Sequence, residues 1–307
     1  MKGINIMILG AGGFIGSHLS ISFLERGATV HAFGRSLDTL KLGSKNLIKY
    51  ESTNIDNQIL QKIDSPDYIY FLIGSASVAR SIKAPLEDFE QSIPPLLLVL
   101  EKLRTSWKES KLIFVSSAAV YGTSANDRTS IKSSLNPVSP YGLNKKISEE
   151  YIHYYCEHYS IDAKIIRPFS VYGPQLKKQL IWDVLNKMQR GEHHFFGSGD
   201  ELRDWIYIND FIKILNNYVS EYNSMDNVVN IGSGNAVSVK KIVSMLYKIT
   251  NTNASPLFVD GGKEGDPKHL VSDISEQNCL KPFLNTSLEE GLIETVNWFN
   301  KFKEEGC

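Results

Sequence analysis

Short apolar runs alternate with longer amphipathic segments through the first 170 residues of the chain. Brief runs rich in β-branched residues are typical of strands, and apolar residues at every third or fourth position are typical of helices. The pattern predicts strands at 4–9, 29–33, 47–50, 68–73, 112–115 and 164–167. It predicts helices at 14–26, 56–63, 86–104 and 141–159. This alternation predicts an α/β fold with a doubly wound parallel sheet.

Two consecutive prolines, Pro94 and Pro95, lie inside the third predicted helix. A proline has no backbone N–H, and inside a helix its ring collides with the carbonyl group one turn earlier. We therefore expect this helix either to begin again at the prolines or to bend there.

The pattern becomes less regular after residue 167, where turn-forming sequences are frequent. Examples are Tyr172-Gly173-Pro174, Gly197-Ser198-Gly199 and Gly232-Ser233-Gly234. Glycine and proline at this density favour short, irregular elements. The sequence therefore predicts a second, smaller mixed domain that begins near Ser170.

Composition argues against several classes of protein. The 33 basic and 34 acidic residues give a net charge of −1, without the basic surface that nucleic acid binding requires. The longest purely apolar run, 96–100, is much shorter than the ~20 residues of a membrane-spanning helix. Three scattered cysteines, Cys156, Cys279 and Cys307, predict neither a disulfide framework nor a metal site. We expect a soluble, cytoplasmic protein with no nucleic acid or membrane partner.

The turn after the first predicted strand is rich in glycine and reads Gly10-Ala11-Gly12-Gly13-Phe14-Ile15-Gly16. Glycines there permit positive φ and let backbone N–H groups approach a pyrophosphate at the positive end of the next helix. A glycine cluster can also mark nothing more than a tight turn. Its position at the first strand–helix junction favours a dinucleotide cofactor.

The end of the second predicted strand bears on the choice of cofactor. A carboxylate there would bind the adenosine ribose and repel a 2′-phosphate. The sequence instead reads Gly34-Arg35-Ser36, and a guanidinium can pair with a phosphate. NADP(H) is therefore favoured and NAD(H) is possible. The alternative is a solvent-facing arginine on a surface loop.

A serine, a tyrosine and a lysine form the third candidate site. Ser117 ends the fifth predicted strand, and Tyr141 and Lys145 are one turn apart on the following long helix. A phenol ionises near pH ~10, so bringing it to neutrality requires about 4 kcal/mol of differential stabilisation. We expect the Lys145 ammonium to lower the pKa of Tyr141 in this way. The alternative is an exposed pair on an amphipathic helix.

Together these elements resemble the extended short-chain dehydrogenase/reductase family, which contains nucleotide-sugar epimerases, dehydratases and reductases. Further segments similar to the family are 115–122, 167–174, 197–200, 203–210, 230–234 and 265–267. The resemblance implies a Rossmann-type domain, 1–170 with about 207–232, that binds the cofactor. It implies a smaller domain, 171–206 and 233–307, that binds a nucleoside-diphosphate sugar. Family members also form dimers, so a homodimer is possible, although Pro94 and Pro95 disturb the helix on which those dimers pack.

The resemblance also assigns roles to individual residues. Its catalytic residues are Ser117, Tyr141 and Lys145. Its cofactor-binding residues are Gly10, Gly13, Phe14, Ile15, Gly16, Arg35, Ser36, Asn54, Ile55, Leu72, Gly74, Ser75, Tyr141, Lys145 and Phe169. Its substrate-side residues are Ser77, Val78, Ser117, Ser170, Arg203, Tyr207 and Asp266, of which Arg203 suits a diphosphate.

Departures from the family pattern narrow the reaction. Ala118 and Ala119 follow Ser117 where family dehydratases have Asp-Glu, so dehydration is disfavoured. Epimerisation next to a keto group is disfavoured because the family cysteine is absent at Ala119. The main prediction is NADPH-dependent reduction of a nucleoside-diphosphate 4-keto-(6-deoxy)sugar in polysaccharide biosynthesis. The alternatives are an NAD(P)-dependent 4-epimerase and a non-catalytic NADP(H)-binding protein.

Overall fold

The computed structural model describes residues 1–40, 43–74, 77–123, 128–259, 269–275 and 278–306. The chain divides into two compact units. The first unit comprises Met1–Gly122, Ser134–Pro168 and Ile212–Val229. The second comprises Thr123–Ser133, Phe169–Phe211 and Asn230–Cys307. Thr123–Ser133 thus groups with the second unit rather than with its neighbours in sequence.

Strands and helices alternate along the described chain. The strands are β1 (Asn5–Leu9), β2 (Thr29–Gly34), β3 (Leu47–Glu51), β4 (Tyr68–Phe71), β5 (Lys111–Val115), β6 (Ala163–Pro168), β7 (Ser170–Tyr172), β8 (His194–Phe196), β9 (Leu202–Tyr207), β10 (Val228–Ile231), β11 (Ala236–Ser238), β12 (Leu257–Val259) and β13 (His269–Leu270). The helices are α1 (Phe14–Glu25), α2 (Asn57–Gln61), α3 (Val78–Lys83), α4 (Pro85–Thr105), α5 (Pro140–Tyr159), α6 (Gln179–Gln189), α7 (Ile208–Ser220), α8 (Val239–Ile249) and α9 (Leu288–Glu304).

A seven-stranded sheet forms the centre of the first unit, in the order β10-β6-β5-β4-β1-β2-β3. Strands β1 to β6 pair in parallel. The strand order reverses at β1, which creates a crevice at the carboxyl ends of the strands where α/β proteins bind ligands. The predicted α/β fold is confirmed, and each of the predicted strands and helices lies within two residues of an observed one.

α4 is a single helix that continues through Pro94 and Pro95. The expectation that it begins again at the prolines is therefore wrong. Beyond them, Leu96, Val99 and Leu100 are fully buried in the hydrophobic core. This packing outweighs the lost backbone hydrogen bonds and holds the segment helical. Among the described helices, none combines the length and the apolar character needed to cross a membrane.

α5 carries the predicted Tyr141 and Lys145 and has a well-defined start. The Ser139 hydroxyl accepts a hydrogen bond from the N–H of Gly142, and Pro140 is the first helical residue. Both residues are favourable there, because the first N–H groups of a helix have no partner inside it. The cap fixes where α5 begins, and therefore where the Tyr141 side chain is placed.

The second unit is built around β9. This strand pairs in parallel with β7 and β13 and antiparallel with β11. β8 and β12 form a separate two-stranded sheet. α9 begins with a capping box in which Ser287 and Glu290 each bond the other's backbone N–H.

Candidate active site

The glycine-rich turn between β1 and α1 lies against the ends of β2 and β4. The N–H groups of Gly10 and Ala11 both donate to the carbonyl of Phe33 at 2.9 Å. Gly10 has a φ of +96°, and a Cβ there would lie 3.1 Å from the backbone of Leu72. A Cβ on Gly16 would overlap the Gly10 carbonyl. The turn therefore excludes side chains and presents backbone to a ligand at the N-terminus of α1, where an anion is favoured.

The predicted catalytic residues come together where β5 ends and α5 begins. The Ser117 hydroxyl accepts from the N–H of Ala119 at 3.1 Å. Tyr141 is partly exposed and forms a side-chain hydrogen bond with Ser117. Lys145, one turn further along α5, is buried and donates to the carbonyl of Val115 at 2.9 Å. A hydroxyl, a phenol and an amine thus share one end of the parallel sheet.

The protonation states of Tyr141 and Lys145 follow mainly from burial. Burial raises the pKa of Tyr141; the hydrogen bond with Ser117 lowers it, and the negative charge of Asp88 raises it. Burial lowers the pKa of Lys145 to about 8, against the opposing effect of the Asp88 and Glu149 carboxylates. The structure therefore differs from the expectation that Lys145 brings the pKa of Tyr141 below its usual value. In the polypeptide by itself, desolvation of the phenolate outweighs the hydrogen bond with Ser117.

A buried ion pair holds α5 against the ends of β5 and β6. Arg167 donates to both carboxylate oxygens of Glu149, with Nη2 2.6 Å from Oε2. Arg167 also donates to the Tyr121 hydroxyl at 2.7 Å, and the Ser116 hydroxyl donates to Glu149. Bidentate geometry of this kind fixes orientation as well as distance. The pair therefore ties α5 to the strand end that precedes Ser117.

The loop that follows β2 contains a carboxylate, Asp38, that was not among the predicted site residues. Arg35 and Ser36 are exposed, and the Ser36 hydroxyl donates to Asp38 at 2.7 Å. Gly12 approaches this segment closely, because a Cβ on it would overlap the Ser36 carbonyl. An acidic side chain is therefore hydrogen-bonded to the segment that packs against the glycine turn, four residues after the strand rather than at its end.

The other predicted first-unit residues have different surroundings. Asn54 is exposed, whereas the Ile55 side chain is buried in the hydrophobic core. The N–H of Leu72 donates to Leu9, which joins the end of β4 to β1. Ser77 caps α3 by accepting from the N–H of Arg80. Gly13 is the exposed N-cap of α1, and Phe14 and Ile15 are its partly exposed first residues. Val78 is the partly exposed first residue of α3, and Ser75 lies outside the described residues.

The predicted residues of the second unit also differ in accessibility. Phe169 is buried, whereas Ser170 on β7 is partly exposed. Arg203 on β9 is partly exposed, and its Nη1 donates to the Leu202 carbonyl at 2.9 Å. Tyr207 is buried and its hydroxyl donates to Glu294 of α9, so the phenol is occupied within this unit. Asp266 lies outside the described residues.

Asp204 is fully buried in the second unit and is saturated with hydrogen bonds. It accepts from the N–H and hydroxyl of Ser233, from the N–H of Gly234, and from the N–H and hydroxyl of Ser272. Both carboxylate oxygens are therefore occupied, and β9 is joined to two segments distant in sequence. The sequence analysis did not find this role, because no local pattern links residues 204, 233 and 272.

Comparison with known proteins assigns the family. The family described as "NAD dependent epimerase/dehydratase family" matches residues 6–232, about three quarters of the chain. The chain belongs to this family. The putative UDP-glucose 4-epimerase of Methanocaldococcus jannaschii is 30% identical over 306 residues, which cover 95% of this chain and 97% of that protein.

Solved structures of epimerases resemble this family member over nearly the whole chain. UDP-glucose 4-epimerase from Thermotoga maritima, in complex with UDP-glucose, has a TM-score of 0.87 at 29% identity and covers 98% of this chain and 100% of that one. A tyrosine-to-phenylalanine variant of UDP-glucuronic acid 4-epimerase from Bacillus cereus, with a fluorinated substrate analogue and NAD, has a TM-score of 0.88 at 27% identity, covering 97% and 100%.

Family membership favours one of the sequence-based hypotheses over the others. The family is described as NAD dependent, and the relatives named above are 4-epimerases. The main prediction, NADPH-dependent reduction of a 4-keto sugar, is therefore not supported, and the findings favour the alternative, a 4-epimerase. The preference for NADP(H) predicted from Arg35 is not shown, and a guanidinium at the surface is also common without a phosphate partner.

Proposed function

We propose that the protein is an NAD-dependent 4-epimerase of a UDP-sugar. The observation that carries this proposal is the hydrogen-bonded Tyr141 and Ser117 beside buried Lys145, at the strand ends next to a glycine turn that excludes side chains. Full-length similarity to 4-epimerases supports the choice of reaction. Ala118 and Ala119 carry no group able to transfer a proton, which argues against a dehydratase.

Each catalytic residue has a definite task in this reaction. NAD, when bound, supplies the ring that takes hydrogen with its electron pair from sugar C4 and returns it to the opposite face. Tyr141 removes the proton of the C4 hydroxyl as the C–H bond at sugar C4 breaks. In the reverse step it returns a proton to the keto oxygen. Ser117 donates a hydrogen bond to the same oxygen. Lys145 provides the positive charge that favours the phenolate.

The cofactor site proposed here belongs to the first unit. The backbone of the glycine turn suits a pyrophosphate, since Gly10 and Gly16 leave no room for side chains. Asp38 is a candidate for the ribose hydroxyls and would repel a 2′-phosphate, which supports NAD rather than NADP. Arg35 then remains a surface residue.

The second unit is proposed to bind the UDP-sugar. Arg203 is partly exposed and bears a guanidinium suited to a diphosphate. Ser170, Ser77 and Val78 are partly exposed and remain candidates for sugar contacts. Tyr207 is left out of this set because its hydroxyl is bonded to Glu294.

A second copy of the chain is the proposed protein partner. Large apolar side chains are exposed on three successive helices, namely Ile82, Leu86, Phe89, Leu143, Tyr151, Tyr154 and Tyr159. A monomer seldom leaves so many on one group of packed helices. Light scattering is expected to give twice the chain mass of 34.5 kDa, and a mass of one chain would reject the dimer.

The reaction is tested with the purified protein and a panel of UDP-glucose, UDP-N-acetylglucosamine and UDP-glucuronate. Proton NMR is expected to detect the C4 epimer of at least one sugar, without consumption of added NADPH. Nucleotide released on denaturation is expected to be NAD. Bound NADP, with stoichiometric oxidation of NADPH by a 4-keto sugar nucleotide and no epimer from the panel, would overturn the proposal in favour of a reductase.

A further inference from the structure

A buried carboxylate, that of Asp88, lies beside the catalytic residues and has no role in the mechanism above. Asp88 is near the start of α4 and is 3% exposed. Its Oδ2 accepts from the Asn144 amide at 2.7 Å. Its Oδ1 is buried and has no hydrogen-bond partner within the described part of the chain. A buried carboxylate with one oxygen unsatisfied is costly, and a nearby positive charge offsets part of that cost.

The packing of α4 on α5 brings Asp88 close to Lys145. Asn144, which holds Asp88, directly precedes Lys145 on α5. Ser92 is one turn after Asp88 on the same face of α4, and its hydroxyl lies 3.2 Å from the position of a Cβ built on Gly74. Lys145 Nζ lies 3.8 Å from that same position. The face of α4 that carries Asp88 therefore packs against the Lys145 side chain.

Neighbouring carboxylates already have cationic partners. Glu149, one turn after Lys145, is engaged by Arg167 through both oxygens. Glu87, next to Asp88, pairs with Arg80 at the surface. The titratable groups around Asp88 and Lys145 are therefore Tyr141 and Glu149 of α5, Arg167 of β6, Arg80 of α3 and Glu87 of α4. β5 contributes Phe114 and Val115, which do not titrate.

We propose that Asp88 is a positioning residue, the buried counter-ion that keeps Lys145 charged. Its importance for turnover rests on the function proposed above, whereas its effect on the charge of Lys145 does not. Burial lowers the pKa of Lys145 to about 8 even with Asp88 opposing the change. Without the carboxylate, the amine loses its proton at a lower pH than in the wild type.

The charge of Lys145 is measured directly in the holoenzyme by NMR. Protein with ¹³C-labelled lysine is titrated, and the Lys145 signal is assigned by its loss in Lys145→Arg. In Asp88→Asn the midpoint is expected to fall by about one pH unit or more, the usual effect of a close opposite charge. Glu90→Gln removes a carboxylate from the exposed face of the same helix and is expected to leave the midpoint unchanged. An unchanged midpoint in Asp88→Asn would overturn the proposal.

The pH dependence of epimerase activity gives a second measurement, and it is expected to shift in the same direction as the NMR midpoint. The pH at which kcat/KM falls on the alkaline side is expected to move down in Asp88→Asn by the same amount as the NMR midpoint. A uniform loss of kcat/KM without this shift would mean that Asp88 only joins the helices, and would contradict the proposal. If the wild-type protein lacks epimerase activity but the Lys145 midpoint falls in Asp88→Asn, the proposed function is wrong and the role of Asp88 as counter-ion is supported.

A second variant separates the charge of Asp88 from its hydrogen bond to α5. Asn144→Leu removes the bond between the helices but leaves the carboxylate in place. The midpoint of Lys145 is expected to stay at or above the wild-type value in this variant. A fall like that expected for Asp88→Asn would overturn the proposal, and this test remains open even if Asp88→Asn does not fold.

Discussion

Two buried aspartates, one in each unit, have opposite surroundings. Asp204 in the second unit accepts five hydrogen bonds from neutral donors, and both of its oxygens are occupied. Asp88 in the first unit has one hydrogen bond and one buried oxygen without a partner among the described residues. The first arrangement stabilises a fold through local hydrogen bonds, whereas the second leaves its charge to act on other groups.

Lys145 is, like Asp88, a buried ionisable group of the first unit, and burial disfavours its charged form. Groups that are costly to the fold in this way are typical of functional sites. Burial alone therefore does not identify a structural residue; the number of satisfied hydrogen bonds separates Asp204 from Asp88.

The largest expected effect is on turnover. Tyr141→Phe removes the group that carries the proton, so kcat is expected to fall by about 10³-fold. The melting temperature is expected to stay close to that of the wild type, because the ring remains in place. Tyr154→Phe, at an exposed position on the same helix, is the matched control and should leave kcat unchanged. Near-normal turnover of Tyr141→Phe would reject its catalytic role.

The next effect is on stability of the second unit. Asp204→Asn replaces an oxygen with an NH₂ group that faces N–H and hydroxyl donors. The free energy of unfolding is expected to fall by about 3 kcal/mol, measured by urea denaturation. Asp200→Asn at the surface is expected to change it by less than about 0.5 kcal/mol. Equal stabilities of Asp204→Asn and Asp200→Asn would show that the hydrogen bonds of Asp204 do not stabilise the fold, and the distinction drawn from Asp88 would be lost.

Lys145→Met is expected to give a smaller effect of the opposite sign. The free energy of unfolding at pH 7 should rise by about 1–2 kcal/mol, while epimerase activity is lost. The pKa of Lys145 is about 8 in the fold and 10.5 ordinarily, so the unfolded chain binds more protons between these values. Wild-type stability attributable to Lys145 therefore rises from pH 8 to 10.5, and this rise is absent in the variant.

The control for that experiment is Lys146→Met, at the partly exposed neighbouring position. Its side chain donates to the Leu135 carbonyl, so its removal is expected to leave stability unchanged or slightly lower. A loss of stability in Lys145→Met as large as that in Asp204→Asn would contradict the interpretation of Lys145 as a residue kept for function.

The smallest effect concerns the choice of cofactor. Asp38→Asn removes the charge proposed to repel a 2′-phosphate, so the ratio of NAD to NADP affinity is expected to fall about fivefold, a change of roughly 1 kcal/mol. Competitive binding of the two nucleotides to nucleotide-free protein measures this ratio. Asp56→Asn would alter a helix cap, so Glu25→Gln at the end of α1 is the better charge control. An unchanged ratio would leave cofactor choice to other residues.

Local sequence features predicted much of the first unit. The bounds of β1 and α1 follow from runs of apolar residues and a glycine turn, and the Tyr141–Lys145 spacing identified one face of α5. These features are local because helix and strand periodicities act over a few residues. The continuity of α4 through Pro94 was not predictable in this way, since it depends on the core packing of the following turns.

The contacts that decide roles at the site come from residues far apart in sequence. Asp88 meets Asn144 across 56 positions, and Asp204 meets Ser272 across 68. Such pairs are set by packing of helices and strands, which spacing along the chain does not encode. Asp38 was missed for a related reason: a carboxylate was expected at the end of β2, whereas Asp38 lies four residues beyond it and bonds the Ser36 hydroxyl.

The two prolines of α4 interrupt its backbone hydrogen bonding without ending the helix. Pro94 and Pro95 have no N–H to donate to the carbonyls of Glu90 and Gln91, so the backbone ladder is interrupted just after Asp88. The segment beyond the interruption is anchored in the core, beginning with Leu96. At the two prolines, α4 therefore depends on side-chain packing rather than on its own backbone for continuity.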